Sequence, residues 1–109
     1  MQKIHLIIYI TALIALASCG TERAMKKAEQ HQAIGEYYDA AQQYRKAYQQ
    51  TPAKERTERG QRAVKMARCY AKINQTQRAI PAFRNAIRYQ QATLNDQLIY
   101  ARLLLKDGQ

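Results

Sequence analysis

Two cysteines and two histidines are the residues in this sequence best suited to nucleophilic or metal chemistry. Cys19 follows Leu16-Ala17-Ser18, at the end of an apolar run from Ile4 to Ala17 broken only by His5 and Thr11. An apolar residue and two small ones let an enzyme approach the bond before Cys19, and the thiol is a nucleophile that can be acylated. Cys69 and His31 fall in different predicted helices, so a Cys–His dyad would need a tertiary coincidence. Cys69 reads as a small helix residue. Three or four metal ligands at suitable spacing are not found, nor is a Gly-rich phosphate loop. The expectation is therefore no enzyme, no cofactor and no metal centre.

The remaining chemistry is cationic. In 109 residues, 18 Lys and Arg face 8 Asp and Glu, a net charge of +10. Such a surplus suits an acidic partner, nucleic acid or an anionic membrane surface, and by itself does not choose among them. Length excludes a multidomain enzyme. With 47% apolar residues, four Gly and two Pro, the composition argues against disorder and favours helix.

The first 18 residues read as an address. Lys3 supplies a positive start, and the apolar run is a signal-peptide length, short of the ~20 residues that cross a bilayer. The ending resembles a bacterial lipobox, with Cys19 as the lipidated residue and 19–21 as a tether. Each buried CH₂ contributes about 0.8 kcal/mol, so two or three acyl chains anchor stably. Cleavage before Cys19 removes Lys3 alone and leaves +9. No Asp and no acidic pair follows Cys19. By resemblance to envelope lipoproteins, this implies an outer-membrane protein facing the periplasm. A lipoprotein outside the cytoplasm is not expected to meet nucleic acid. The tyrosines at 37, 38, 44 and 48 are read as helix packing.

Beyond the address the chain repeats. Ala40, Tyr44 and Ala47 match Ala79, Phe83 and Ala86 in spacing, and i, i+4, i+7 places each trio on one helical face. Gly35 and Asn74 mark turns before each helix. Ala63, Met66, Ala67 and Tyr70 form a packing face; Ala24, Lys27, Ala28 and His31 form a poorer one. Tyr100, Ala101 and Leu104 suggest another. Helices are expected at about 22–34, 37–50, 52–73, 77–90 and 95–106. The long third helix takes Thr51 as N-cap and Pro52 at its first position. It carries Lys54/Glu58, Glu55/Arg59 and Glu58/Arg62 pairs, with Gly60 as a weak point costing about 1 kcal/mol. Pro81 should remove one backbone bond and bend the fourth helix.

These features over 22–109 resemble the tetratricopeptide repeat, a helix–turn–helix unit of about 34 residues. The expected fold is an all-α helical solenoid of about two and a half repeats, ending within a third. The resemblance implies a groove lined by the first helices of successive units. Gln61, Val64, Arg68 and Lys72 would face it, with Asn95, Leu98, Arg102 and Lys106. The expected partner-binding set is Gln61, Arg68, Lys72, Arg102 and Lys106, a cationic stripe for carboxylates.

A lipobox followed by Gly35-Glu-Tyr-Tyr-Asp-Ala-Ala and Arg78-Ala-Ile-Pro-Ala-Phe-Arg-Asn-Ala-Ile-Arg-Tyr is similar to one group in particular. These are Bacteroidetes envelope lipoproteins with tetratricopeptide repeats, a β-propeller and an OmpA-like domain, including PorE-like components of type IX secretion. The resemblance implies a periplasmic scaffold that docks envelope or secretion-system proteins. Neither a propeller nor an OmpA-like segment follows in these 109 residues, so peptidoglycan binding does not carry over. The alternative is a lipoprotein of the BamD type, which would bind unfolded outer-membrane protein segments in the basic groove.

Overall fold

The computed structural model describes residues 20–108. The apolar address and Cys19 lie outside the described residues. The chain is all-helical, with five helices and no strand among the described residues. We number them α1 (20–33), α2 (Tyr37–Gln50), α3 (Arg56–Lys72), α4 (Thr76–Arg88) and α5 (Leu94–Lys106). None is long and apolar enough to cross a membrane.

Neighbouring helices run antiparallel because the turns between them reverse the chain in similar ways. Gly35 (φ +80°) and Asn74 (φ +57°) each adopt the left-handed conformation that a helix C-terminus favours. The N–H of the following residue then reaches back over the last turn. Glu36 donates to the His31 carbonyl and Gln75 to the Tyr70 carbonyl, both at 2.9 Å. Gln90 (φ +61°) closes α4 likewise, with Gln91 donating to the Ala86 carbonyl at 2.9 Å. Two of these residues were legible as turn signals. Gln90 was not, since Gln has no marked preference for that region.

The core is built from small residues with an aromatic between them. Ala40, Tyr44 and Ala47 in α2 are buried, as are Ala79, Phe83 and Ala86 in α4. Ala63, Met66, Ala67 and Tyr70 of α3 join them, as their spacing predicts. Alanine keeps helix axes close, and the rings fill the space that close approach leaves between turns. The Tyr44 hydroxyl donates to Gln32 of α1 at 2.6 Å, and burial pushes its pKa up to about 12. Among the four neighbouring tyrosines the packing reading holds for Tyr44. It holds partly for Tyr37 and Tyr48, whereas Tyr38 is exposed.

Four expectations change. First, α3 begins at Arg56, not Pro52. Thr51 closes α2 instead of opening α3: its hydroxyl donates to the Ala47 carbonyl at 2.7 Å. Residues 52–55 form a turn, with the Glu55 N–H on the Pro52 carbonyl. Arg59 then reaches back, its guanidinium 4.3 Å over the Tyr48 ring and 2.6 Å from the Thr51 carbonyl. That use of Arg59 replaces the expected pair with Glu55, and the Lys54/Glu58 and Glu58/Arg62 pairs do not form either. Second, two of the three residues expected to form a tether are part of a helix. Gly20 and Thr21 are already helical, and Thr21 donates to Gln50 of α2 at 3.4 Å. Third, α5 buries Asp96 and packs Ile99, Tyr100 and Leu103 on the core, leaving Ala101 exposed and Leu104 only half-buried. Fourth, Gly60 is no weak point. A Cβ there would stand 2.5 Å from Gln91 Cγ and 2.7 Å from Tyr89 Cβ, so only glycine lets α3 meet the end of α4. Pro81 lies on the exposed side of α4, which runs through it from Thr76 to Arg88.

In an exposed helix, Gly→Ala gains about 1 kcal/mol. Overpacking of this kind costs about 1–3 kcal/mol. Gly60→Ala should therefore lower unfolding free energy by up to roughly 2 kcal/mol in urea titrations. An increase would mean that α3 and the end of α4 separate freely.

Candidate functional site

A cleft of about 590 Å³ opens between α1, the start of α2, α3 and α5. Gln32 comes from the end of α1 and Tyr37 from the first residue of α2. Arg68, Ala71 and Lys72 come from α3, and Asn95, Asp96 and Ile99 from α5. The helix pattern explains this meeting. Residues 68, 71 and 72 stand about one turn apart on α3 and share a face. α5 packs against α4, and its first turn also reaches that face of α3, where Arg68 bonds Asp96.

Asp96 is the pivot. It is 2% exposed. Arg68 Nε donates to its Oδ1 at 2.8 Å and Arg68 Nη2 to its Oδ2 at 2.7 Å, a bidentate pair. The Thr93 backbone N–H donates to Oδ2 at 2.8 Å, and the Thr93 hydroxyl donates to it at 2.9 Å. The Asp96 N–H in turn donates to the Thr93 oxygen at 3.2 Å, completing a capping box on α5. Burial pushes the Asp96 carboxyl up. The Arg68 bonds, then those from Thr93, more than offset this and hold it below the usual carboxylate range. The same carboxylate raises Arg68 against the smaller opposing effect of burial.

This pair corrects the expected cationic stripe. Arg68 and Lys72 do share the cleft, but the charge of Arg68 is spent on Asp96. Lys72 remains its exposed cation. Gln61, Arg102 and Lys106 do not line it. Gln61 is exposed near the start of α3, and Arg102 and Lys106 are exposed further along α5, whose rotation Asp96 sets. Of the neutral positions expected there, Asn95 lines the cleft, whereas Val64 is buried and Leu98 points to solvent. Sequence reasoning missed Asp96. The signal was Thr93-x-x-Asp96 ahead of an apolar run, which marks a capped helix start. Nothing in the linear order couples that cap to Arg68.

The expected lack of a ligand set also needs amendment. His31, Glu36 and Asp39 meet across the α1–α2 turn, with one donor atom of each within 4.8 Å of the others. His31 Nδ1 lies 3.3 Å from Glu36 Oε2. These are the described residues best placed to hold a metal. Yet Glu36 and Asp39 also stand at the start of α2, where carboxylates offset the helix dipole without any ion. Cys69, at the back of the cleft, is free and buried, and burial pushes its thiol up to about 11. It is a poor nucleophile at neutral pH.

Comparison with known proteins finds no matching family profile, no matching curated protein and no matching solved structure.

Removing Asp96 leaves Arg68, which is 42% exposed and can be solvated, so the full penalty of a stranded buried charge does not apply. Asp96→Ala should destabilise the fold by about 1–3 kcal/mol, through its lost charge-assisted hydrogen bonds and capping box. Thr93→Ala, which loses the cap alone, should cost about 1 kcal/mol. Because Asp96 titrates lower folded than unfolded, its contribution is present above the unfolded value near ~3.9 and fades as pH falls through the folded one. Urea unfolding at pH 7 and pH 3 should show a larger acid loss for the parent than for Asp96→Asn; equal losses would rule out this linkage. Cys69 should resist a thiol reagent at pH 8 until denaturant is added, and rapid native labelling would contradict its burial.

Proposed function

We propose that this chain is a lipid-anchored scaffold that docks other envelope proteins through the cleft between α1, α3 and α5. Its hairpins are read as tetratricopeptide repeats stacked into a short solenoid. The observation that supports this reading is that alternate helices, α1, α3 and α5, supply every residue lining the cleft except Tyr37 at the first position of α2, while α4 supplies none. An extended segment would lie against Tyr37 and Ile99, with Gln32 and Asn95 offering amide hydrogen bonds to its backbone. Lys72 would take a carboxylate. The Arg68–Asp96 pair is then floor, a rigid polar surface whose own demands are met, and does not compete for the ligand.

The anchor completes the proposal. Lipid on Cys19 would hold this basic domain at the periplasmic face of an outer membrane, where its +9 charge after cleavage also favours anionic headgroups. No catalytic role is assigned to Cys69, which is buried and whose thiol burial pushes up to about 11. Binding of unfolded outer-membrane protein segments, as in the BamD type, is less well supported. It relied on Arg68 and Arg102 as neighbouring free cations, and Arg68 is paired with Asp96.

Labelled palmitate should enter the parent chain in cells and fail to enter Cys19→Ser; label in both would sink the anchor. A photocrosslinking residue at Lys72 or Asn95 should capture defined envelope proteins, while one at exposed Lys46 of α2 should not. Equal capture from both faces would count against the cleft.

A further inference from the structure

Among the described residues, three of the five exposed large apolar side chains belong to α5: Leu94 at 74%, Leu98 at 51% and Leu105 at 77%. With exposed Ala101 they follow a 4-3-4 spacing, which puts all four on one helical face. That face is turned away from Ile99, Tyr100 and Leu103, which pack on the core. Isolated exposed leucines need no explanation, but an aligned row on a helix that already buries its opposite side does.

The fold contains an internal standard for this row. Gly108 ends α5 in the left-handed conformation (φ +78°), as Asn74 ends α3, and its N–H donates to the Leu105 carbonyl at 3.2 Å. In α3 the Asn74 N–H makes the equivalent bond to the Ala71 carbonyl at 3.2 Å. Aligning the two helices on these residues sets Leu94, Leu98, Ala101 and Leu105 against Gly60, Val64, Ala67 and Ala71. Gly60, Val64 and Ala67 are buried. Gly60 marks what covers that face, since its missing Cβ would run into Tyr89 and Gln91 at the end of α4. At its Gly60 end the α3 row meets the end of the antiparallel helix α4, while Ala71 at the other end opens on the cleft; the counterpart row on α5 is uncovered and larger.

We infer that the Leu94–Leu98–Ala101–Leu105 face is a docking site for an antiparallel amphipathic helix of a partner protein, one with alanines on its contact face and carboxylates along one edge. Two features specify that chemistry. Where α3 offers Gly, Val and Ala, α5 offers leucines, and facing surfaces interdigitate when large residues meet small ones. Beside the row, Arg102 and Lys106 form an exposed cationic edge, which calls for acidic residues opposite. A second copy of this chain fits less well. It would bring together two molecules that each carry a net charge of +10. The site is separate from the cleft and does not rest on its proposed role.

The test uses a fluorescent peptide copying residues 37–50, which carries the α2 face of Ala40, Ala41, Tyr44 and Ala47, with Arg45 and Lys46 replaced by Glu. Anisotropy titration with the full chain in mild detergent should saturate. Leu98→Asp and Leu105→Asp should each weaken binding at least tenfold, while Ile34→Asp, at an exposed site on the α1–α2 turn, should leave it unchanged. Arg102→Glu with Lys106→Glu should weaken the acidic peptide and strengthen the unmodified one. Circular dichroism of the variants checks that exposed substitutions leave the helices intact. The inference is overturned by a titration that does not saturate, or by equal affinity for Leu98→Asp. It is overturned equally if sedimentation shows a dimer of the parent that Leu98→Asp dissociates, since the row would then serve a second copy.

Discussion

The Asp96 carboxylate, buried and held by Arg68 on one side and Thr93 on the other, fixes how the last helix sits on the rest. A charge in that position is tolerated because each oxygen has a donor and the Arg68 fork matches its geometry. The consequences spread along α5. With Asp96 turned inward, Asn95 and Ile99 reach the cleft, Tyr100 reaches Phe83 at 6.5 Å between ring centroids, and Leu94, Leu98 and Leu105 turn to solvent. One ion pair thus sets the floor of the cleft and also the outward face of the helix.

Beneath that pair lies a constraint of spacing. Alanines and one glycine let the helices approach until a single aromatic ring fills each gap. Gly60 is the sharpest case: sequence propensity alone marks it as a defect in α3, whereas the packing makes it a contact point with the end of α4. The general expectation about glycine in helices is sound for a helix in water, and fails here because a neighbouring chain occupies the space a methyl group would take.

Local rules explain most of what could be read in advance. The left-handed turns at Gly35 and Asn74 follow from residue type, and the alanine–aromatic–alanine faces follow from periodicity. The error at Thr51 is of another kind. Thr-Pro reads as well at a helix start as after a helix end, and the choice was made by the Ala47 carbonyl and by Arg59 stacking on Tyr48. Likewise His31, Glu36 and Asp39 are unremarkable in linear order and meet only because the α1–α2 turn folds them together.

By itself the sequence determined the helical class, four of the five helices to within about two residues at either end, the buried alanine and aromatic faces and the basic charge. Each of these depends on neighbours a few positions away, within reach of hydrogen-bond and side-chain periodicity. Only the tertiary structure decided which cations remain free. Arg68 and Lys72 share a helix face and a charge, yet one meets a carboxylate 28 positions distant and the other does not. Pairing across that separation is set by how whole helices rotate against one another, and no local spacing encodes that rotation.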